Sequence, residues 1–135
     1  MKKGIRVVLL LLLVVIFVCG FNIWSQYSPV AFDYRQIYDR DTEQDLAEAF
    51  ATALRINHPA AYDMIDPSAK PRLDEWMNTH QIQRCKNIPH VTLIESGTKT
   101  GRKVEISCFG YSGRIDFVVD NIVLNNDGEV VRWGE

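Results

Sequence analysis

The sequence predicts an α+β protein in which an N-terminal transmembrane helix is followed by three helices packed on a curved antiparallel β-sheet of about four strands. An uncharged apolar run opens the chain. Apolar residues then recur at helical spacing up to about residue 78, and after Pro89 their period changes from about 3.6 to about 2. Helices therefore fill the first half of the remaining chain, and strands fill the second.

The opening run has the length of a membrane span. Residues 7–21 carry no charge, and residues 5–24, at about 1.5 Å per residue, cover a hydrocarbon core of about 30 Å. Lys2, Lys3 and Arg6 all precede the run, so the positive-inside rule predicts a cytoplasmic N-terminus and an extracytoplasmic remainder. We expect a single-pass protein of the cell membrane, held in the bilayer by residues 5–24.

A cleaved signal peptide is the alternative, because it has the same basic start and apolar centre. Val18 and Gly20 are small enough for a cleavage site, but the run continues through Phe21 to Trp24 without a polar region. Lipidation of Cys19 is disfavoured, since the residues before it are not small. Either alternative exports the rest of the chain.

The anchor leaves room for one domain. We divide the 135 residues into an anchor, 1–24, a juxtamembrane segment, 25–40, and an α+β domain, 41–135. The juxtamembrane segment is too aromatic for a solvated linker, so part of it is expected to pack on the domain. Its large apolar and aromatic residues are Phe32, Tyr34, Ile37 and Tyr38.

The charge balance excludes one class of partner. Hydrophobic residues make up 47% of the chain and charged residues 24%, which is typical of a folded protein. Beyond Arg6 the chain has 12 basic and 17 acidic side chains, a formal charge of −5. Phosphate binding by nucleic-acid-binding proteins requires clustered Lys and Arg, so we expect no nucleic acid.

Two cysteines in the exported domain predict a disulfide. In an oxidising compartment Cys85 and Cys108 are more often paired than free. The bond would contribute about 3 kcal/mol by restricting the unfolded chain. Two separate buried thiols are the alternative.

Proline and capping residues mark the starts of the three predicted helices. Asp41 or Thr42 is expected to open the first, with Gln44 in the capping-box relation to Asp41. Pro59 and Pro67 are expected to start the second and third, because proline is tolerated in a first turn.

Turn residues then separate the strands. Turns are expected at residues 99–102, 110–113 and 126–128. The apolar phase slips by one residue near Asp120 and Asn121, which predicts a β-bulge that bends the sheet.

Three stretches of the domain resemble the nuclear-transport-factor-2-like superfamily. They are residues 50–54 (FATAL), residues 60–65 (AAYDMI) with Trp76 downstream, and residues 126–133 (NDGEVVRW). The resemblance covers about residues 41–135. It implies helices over the concave face of the sheet and a cone-shaped cavity between them. The residues that would line this cone are Phe50, Tyr62, Trp76 and Phe117.

No catalytic residue, cofactor or metal site is assigned. Asp116 lies between apolar neighbours on a strand and is expected to point into solvent, away from the cone. His58, His80 and His90 do not have the spacing of a known metal motif. We therefore expect a non-catalytic extracytoplasmic domain that binds a protein or a small ligand. A small isomerase or cyclase-type enzyme using the cone is the alternative, and a homodimer through the sheet is a further option.

Overall fold

The computed structural model describes residues 2–95 and 101–134. The chain is an α+β protein with an N-terminal apolar helix and a four-stranded antiparallel sheet of order β1-β2-β3-β4, as the sequence predicted. The α-helices are α1 (Lys2–Tyr27), α2 (Pro29–Tyr38), α3 (Glu43–Arg55) and α4 (Lys70–Thr79), with 3-10 helices at Pro59–Met64 and Pro67–Ala69. The strands are β1 (His90–Glu95), β2 (Arg102–Phe109), β3 (Arg114–Leu124) and β4 (Val130–Arg132).

Helix α1 has the length and composition of a membrane span. An 18-residue window within Lys2–Trp24 has a mean hydropathy of 2.9, and none of that window is buried within the protein. A helix of this length covers a bilayer core of about 30 Å.

The juxtamembrane segment forms helix α2, which the sequence analysis did not predict. Ser28 caps it, because its side chain accepts a hydrogen bond from the Ala31 amide, and Pro29 occupies the first turn. Ile37 is completely buried and Ala31 nearly so. The expectation that part of residues 25–40 packs on the domain is therefore confirmed, and the neighbour of α2 is α3.

Helix α3 lies between α2 and the sheet. Its start was predicted correctly at Thr42, but the capping partner is Asp45 and not Gln44: the Asp45 amide donates to Thr42 Oγ1 at 3.1 Å, and the Thr42 amide donates to Asp45 Oδ2 at 3.1 Å. The helix contacts α2, β2 and β3. Its small residues allow this close approach on several sides; the buried ones are Ala47, Ala49, Ala51 and Ala53.

The sheet contains the predicted bulge. Val104 pairs with Val119 while Arg102 pairs with Ile122, so β3 has one extra residue between these pairs. Asn121, at that position, has a φ of 51°. Gly101 is required opposite it, because a Cβ there would lie 2.4 Å from the Asn121 Oδ1 atom.

The predicted turns are largely present. Residues 110–113 and 125–128 separate the last three strands. Of the turn predicted at residues 99–102, Lys99 and Thr100 lie outside the described residues.

A disulfide joins Cys85 to Cys108, as predicted, with the two Cα atoms 5.7 Å apart. It ties the segment that follows α4 to the end of β2. The Lys86 amide, one residue along, donates to the Phe109 carbonyl at 2.7 Å and extends this link.

We expect the double substitution Cys85→Ser with Cys108→Ser to lower the free energy of unfolding by about 3 kcal/mol, because the unfolded chain loses its cross-link. Urea unfolding of the full chain in detergent, followed by the fluorescence of the buried Trp133, measures this loss. Cys19→Ser is the matched control, since that free thiol lies in α1. An equal loss in both variants would contradict the prediction.

Candidate functional site

The four residues predicted to line a cone all contribute to one hydrophobic core, in which Phe50 and Phe117 are buried and against which Tyr62 and Trp76 pack. Trp76 and Phe117 are in edge-to-face contact, with ring centroids 6.2 Å apart. Phe50 is fully buried against Trp133, at 5.0 Å. Tyr62 is partly buried against the same core. Its hydroxyl donates to Asp74 Oδ1 at 2.6 Å, which raises the pKa of the Tyr62 phenol.

His80 completes the Trp76 and Phe117 pair, although sequence reasoning did not place it there. Its ring stacks on Trp76 at 4.1 Å and lies 5.6 Å from Phe117. Its Nε2 atom is buried and has no hydrogen-bond partner among the described residues. Removal from water lowers the pKa of His80, because the charged imidazolium is disfavoured there. The three rings form a packed apolar cluster with one neutral histidine.

A surface groove lies between the segment that follows α4 and the turn that joins β2 to β3. This groove has a volume of about 680 Å³, which is within the range of small-molecule sites. One wall is the 81–84 segment. The residues lining the groove are Gln81, Ile82, Gln83, Arg84, Tyr111, Ser112, Arg114, Ile115 and Asp116.

Arg55 holds the 81–84 segment in place. Its Nη1 atom donates to the Gln83 carbonyl at 2.6 Å and lies 3.2 Å from Cys85 Sγ. The Gln83 amide donates back to the Arg55 carbonyl at 3.0 Å. This wall of the groove is therefore fixed by α3 at Gln83 and by the disulfide at Cys85.

The Arg55 guanidinium is buried and forms an ion pair with Asp33 of α2. Burial raises the pKa of Asp33, and the positive charge of Arg55 opposes that rise. Burial likewise lowers the pKa of Arg55, and the negative charge of Asp33 opposes that decrease. Each charge is therefore tolerated in the interior because the other is present.

A second, smaller pocket lies on the α2 side of the 81–84 segment. Its volume is about 210 Å³. Ile82 and Arg84 line both this pocket and the groove. The other residues lining it are Val30, Asp33, Tyr34, Ile56, Asn57, His58 and Pro59.

The groove contains two guanidinium groups in different environments. Arg114 Nε donates to Asp116 Oδ1 at 3.0 Å, and this contact lowers the pKa of Asp116. Asp116 is exposed on the strand, as the sequence predicted. The exposed Arg84 side chain makes no hydrogen bond or ion pair within residues 2–95 and 101–134. Its charge acts on the nearby Asp33 carboxylate and on Arg55, and its exposed guanidinium can also contact a ligand from solvent.

The part of the chain that the structure describes contains no group of three or more His, Cys, Asp or Glu side chains arranged for a metal ion. Comparison of the chain with models of known families, with curated proteins and with solved structures found no match. The function is therefore inferred from the geometry of the groove.

We expect Asp33→Asn to lower the free energy of unfolding by about 3 kcal/mol, because it leaves the buried charge of Arg55 without a partner. Asp39→Asn is the control, since Asp39 is an exposed carboxylate in the same region of the chain. Urea unfolding of both variants measures the difference. A loss no larger than that of Asp39→Asn would show that the ion pair is not needed.

His80 should make the protein less stable in mild acid. Its pKa in the folded protein lies below the ordinary value of 6.5, so below that pH the unfolded chain takes up a proton that the folded chain does not. The free energy of unfolding should therefore fall as the pH drops below about 6.5. His80→Phe should flatten this slope, whereas His90→Phe, at an exposed histidine, should not. An unchanged slope in His80→Phe would contradict the assignment.

Proposed function

We propose that the chain is a membrane-anchored, extracytoplasmic binding domain without catalytic activity, and that its groove binds an anionic, partly apolar ligand. The observation that carries the proposal is the exposed guanidinium of Arg84 in a groove whose wall is fixed by a disulfide and by Arg55. Arg114 is paired with Asp116 in the same groove, so Arg84 carries the net positive charge, while Ile82 and Tyr111 supply apolar surface. Such a mixture suits a ligand with a negative group and a short apolar part.

The location rests on α1 and on the disulfide. Lys2, Lys3 and Arg6 precede the apolar helix, which favours a cytoplasmic N-terminus. The bond between Cys85 and Cys108 is of the kind that persists in oxidising compartments. Both features support a single-pass protein whose domain lies outside the cytoplasm.

We also propose the nuclear-transport-factor-2-like fold that the sequence resembles. Helix α3, the two 3-10 helices and α4 would be its three helices, and the bulge at Asn121 favours a curved sheet. Phe50, Phe117 and Trp133 occupy the space between helices and sheet, each at most 5% exposed. This packing favours binding at the groove over an isomerase or cyclase-type enzyme with an open cone.

A homodimer through the outer face of the sheet is less favoured than exposure of that face to water, because the face carries charged side chains. Lys103 pairs with Glu105 at 2.8 Å, and Arg114 pairs with Asp116 at 3.0 Å. A homodimer through this face would have to bury these charges, which is costly unless each one finds new partners.

Native mass spectrometry of the full chain, extracted from membranes in mild detergent, tests the groove. We expect a bound small molecule on the unaltered protein and at least a severalfold smaller bound fraction on Arg84→Gln. Arg132→Gln is the matched control, because Arg132 is exposed on β4, outside the groove. Absence of any adduct, or equal adducts on both variants, would overturn the proposed binding function.

A further inference from the structure

We propose that the ligand of the groove is the headgroup of an anionic phospholipid in the same bilayer that holds α1, so that the groove end of the domain docks on the membrane surface. This inference rests on the anchoring and the groove binding proposed above. It adds the identity of the ligand and the orientation of the domain.

The chain passes from α1 to α2 with almost no linker. Ser28 alone separates the two helices. Its amide donates to the Trp24 carbonyl at 2.8 Å, and its carbonyl accepts from the Phe32 amide at 3.0 Å. If the hydrocarbon core ends near Trp24, the first turn of α2 lies about 8 Å beyond it, at about 1.5 Å per residue. The headgroup layer on each side is about 5–7 Å deep, so α2 begins at its outer margin.

A short series of contacts connects this end of α2 to the groove. Asp33, in the first half of α2, pairs with Arg55. Arg55 holds Gln83, and the adjacent Cys85 is bonded to Cys108 at the end of β2. The groove therefore lies at the end of the domain where the chain leaves the membrane.

Large apolar side chains are exposed at this end. Tyr111 is 81% exposed, Phe109 61%, Ile82 50%, Tyr34 48% and Val30 42%. Ile82 and Tyr111 share the groove, and Ile82 shares the neighbouring pocket with Val30 and Tyr34, so these four lie close together; exposed apolar surface of this kind marks an interaction site. Tyrosine is enriched where membranes meet water, because its ring is apolar and its hydroxyl is polar.

Basic side chains accompany these residues. Arg84 and Arg114 line the groove, and the Lys86 Nζ atom lies 4.5 Å from the centre of the Tyr111 ring. Guanidinium groups bind phosphate oxygens through paired hydrogen bonds. Cations beside aromatic and aliphatic side chains match a lipid surface, where anionic phosphates lie next to apolar chains.

Quenching in lipid nanodiscs tests the proposed orientation. The full chain would be placed, one copy per disc, in phosphatidylcholine discs with and without phosphatidylglycerol, containing a lipid with a nitroxide on its headgroup. Tyr111→Trp adds a reporter at the groove. Ile94→Trp adds the control reporter: Ile94 pairs with Lys103, about 20 Å along β2 from Phe109. The signal of the unaltered chain is subtracted from each.

We expect the tryptophan at position 111 to be quenched severalfold more than the one at position 94, with the larger difference in discs containing phosphatidylglycerol. Adding Arg84→Gln and Lys86→Gln should reduce this difference, whereas adding Arg132→Gln should not. Equal quenching at the two positions would overturn the docking.

The failures of the two proposals differ. Trp24 reports insertion of α1, so unquenched Trp24 would mean that the proposed anchoring has failed. Quenched Trp24 without extra quenching at position 111 would overturn the docking alone. An adduct in native mass spectrometry that depends on Arg84 but is not a phospholipid would also overturn the docking. It would assign the groove to a soluble anion. The quenching could also differ between the two positions in discs that hold two copies but not in discs that hold one. That result would assign the surface to contact with a second copy of the chain.

Discussion

The buried guanidinium of Arg55 is the group on which the arrangement of the domain depends most. It lies at the last residue of α3, pairs with Asp33 of α2, and holds the backbone of Gln83. Removing a cation of this kind from water is costly, and an ion pair and a hydrogen bond to a carbonyl offset part of that cost; burial still lowers the pKa of Arg55. Three segments distant in sequence are therefore fixed relative to one another at one point. The disulfide at Cys85 strengthens the same point by joining it to β2.

The sequence predicted those elements whose signals are local. The apolar run, the cap at Thr42, the helix starts at Pro59 and Pro67 and the slip of phase at Asn121 each depend on a few neighbouring residues, and each is present. Helix α2 was missed although its signal was also local: Ser28 followed by Pro29 is a cap followed by a first-turn proline. The aromatic content of the segment received more weight than this cap. The capping box was predicted between Asp41 and Gln44, because a capping box usually contains Glu or Gln; it lies one residue later, between Thr42 and Asp45.

The candidate site could be predicted only in part. The pairing of Cys85 with Cys108 was correct, since cysteine pairing follows from compartment and number. The groove beside it was not found, because its two walls are separated by two strands and more than twenty residues of chain, and no local pattern brings Arg84 near Tyr111. The cone-lining residues were drawn from a family resemblance, which gives the layout of a fold but not how far side chains fill its interior. That Phe50 packs against Trp133 depends on tertiary contacts across the whole domain.

The distribution of charge explains how a domain with excess acidic residues can approach an anionic bilayer. Asp39, Asp45 and Glu48 lie around the first half of α3, where partial burial and then repulsion by Asp45 and Asp39 raise the pKa of Glu48. Asp45 and Glu48 lie about 15 and about 11 Å from Arg55 along the helix, at about 1.5 Å per residue. Charges are screened over about 8–10 Å at physiological salt, so these carboxylates act only weakly beyond the Arg55 end of the helix. In the proposed docking, the attraction to an anionic membrane would therefore come from the local cations, Arg84 and Lys86, and would have to exceed the repulsion by Asp116 in the same groove.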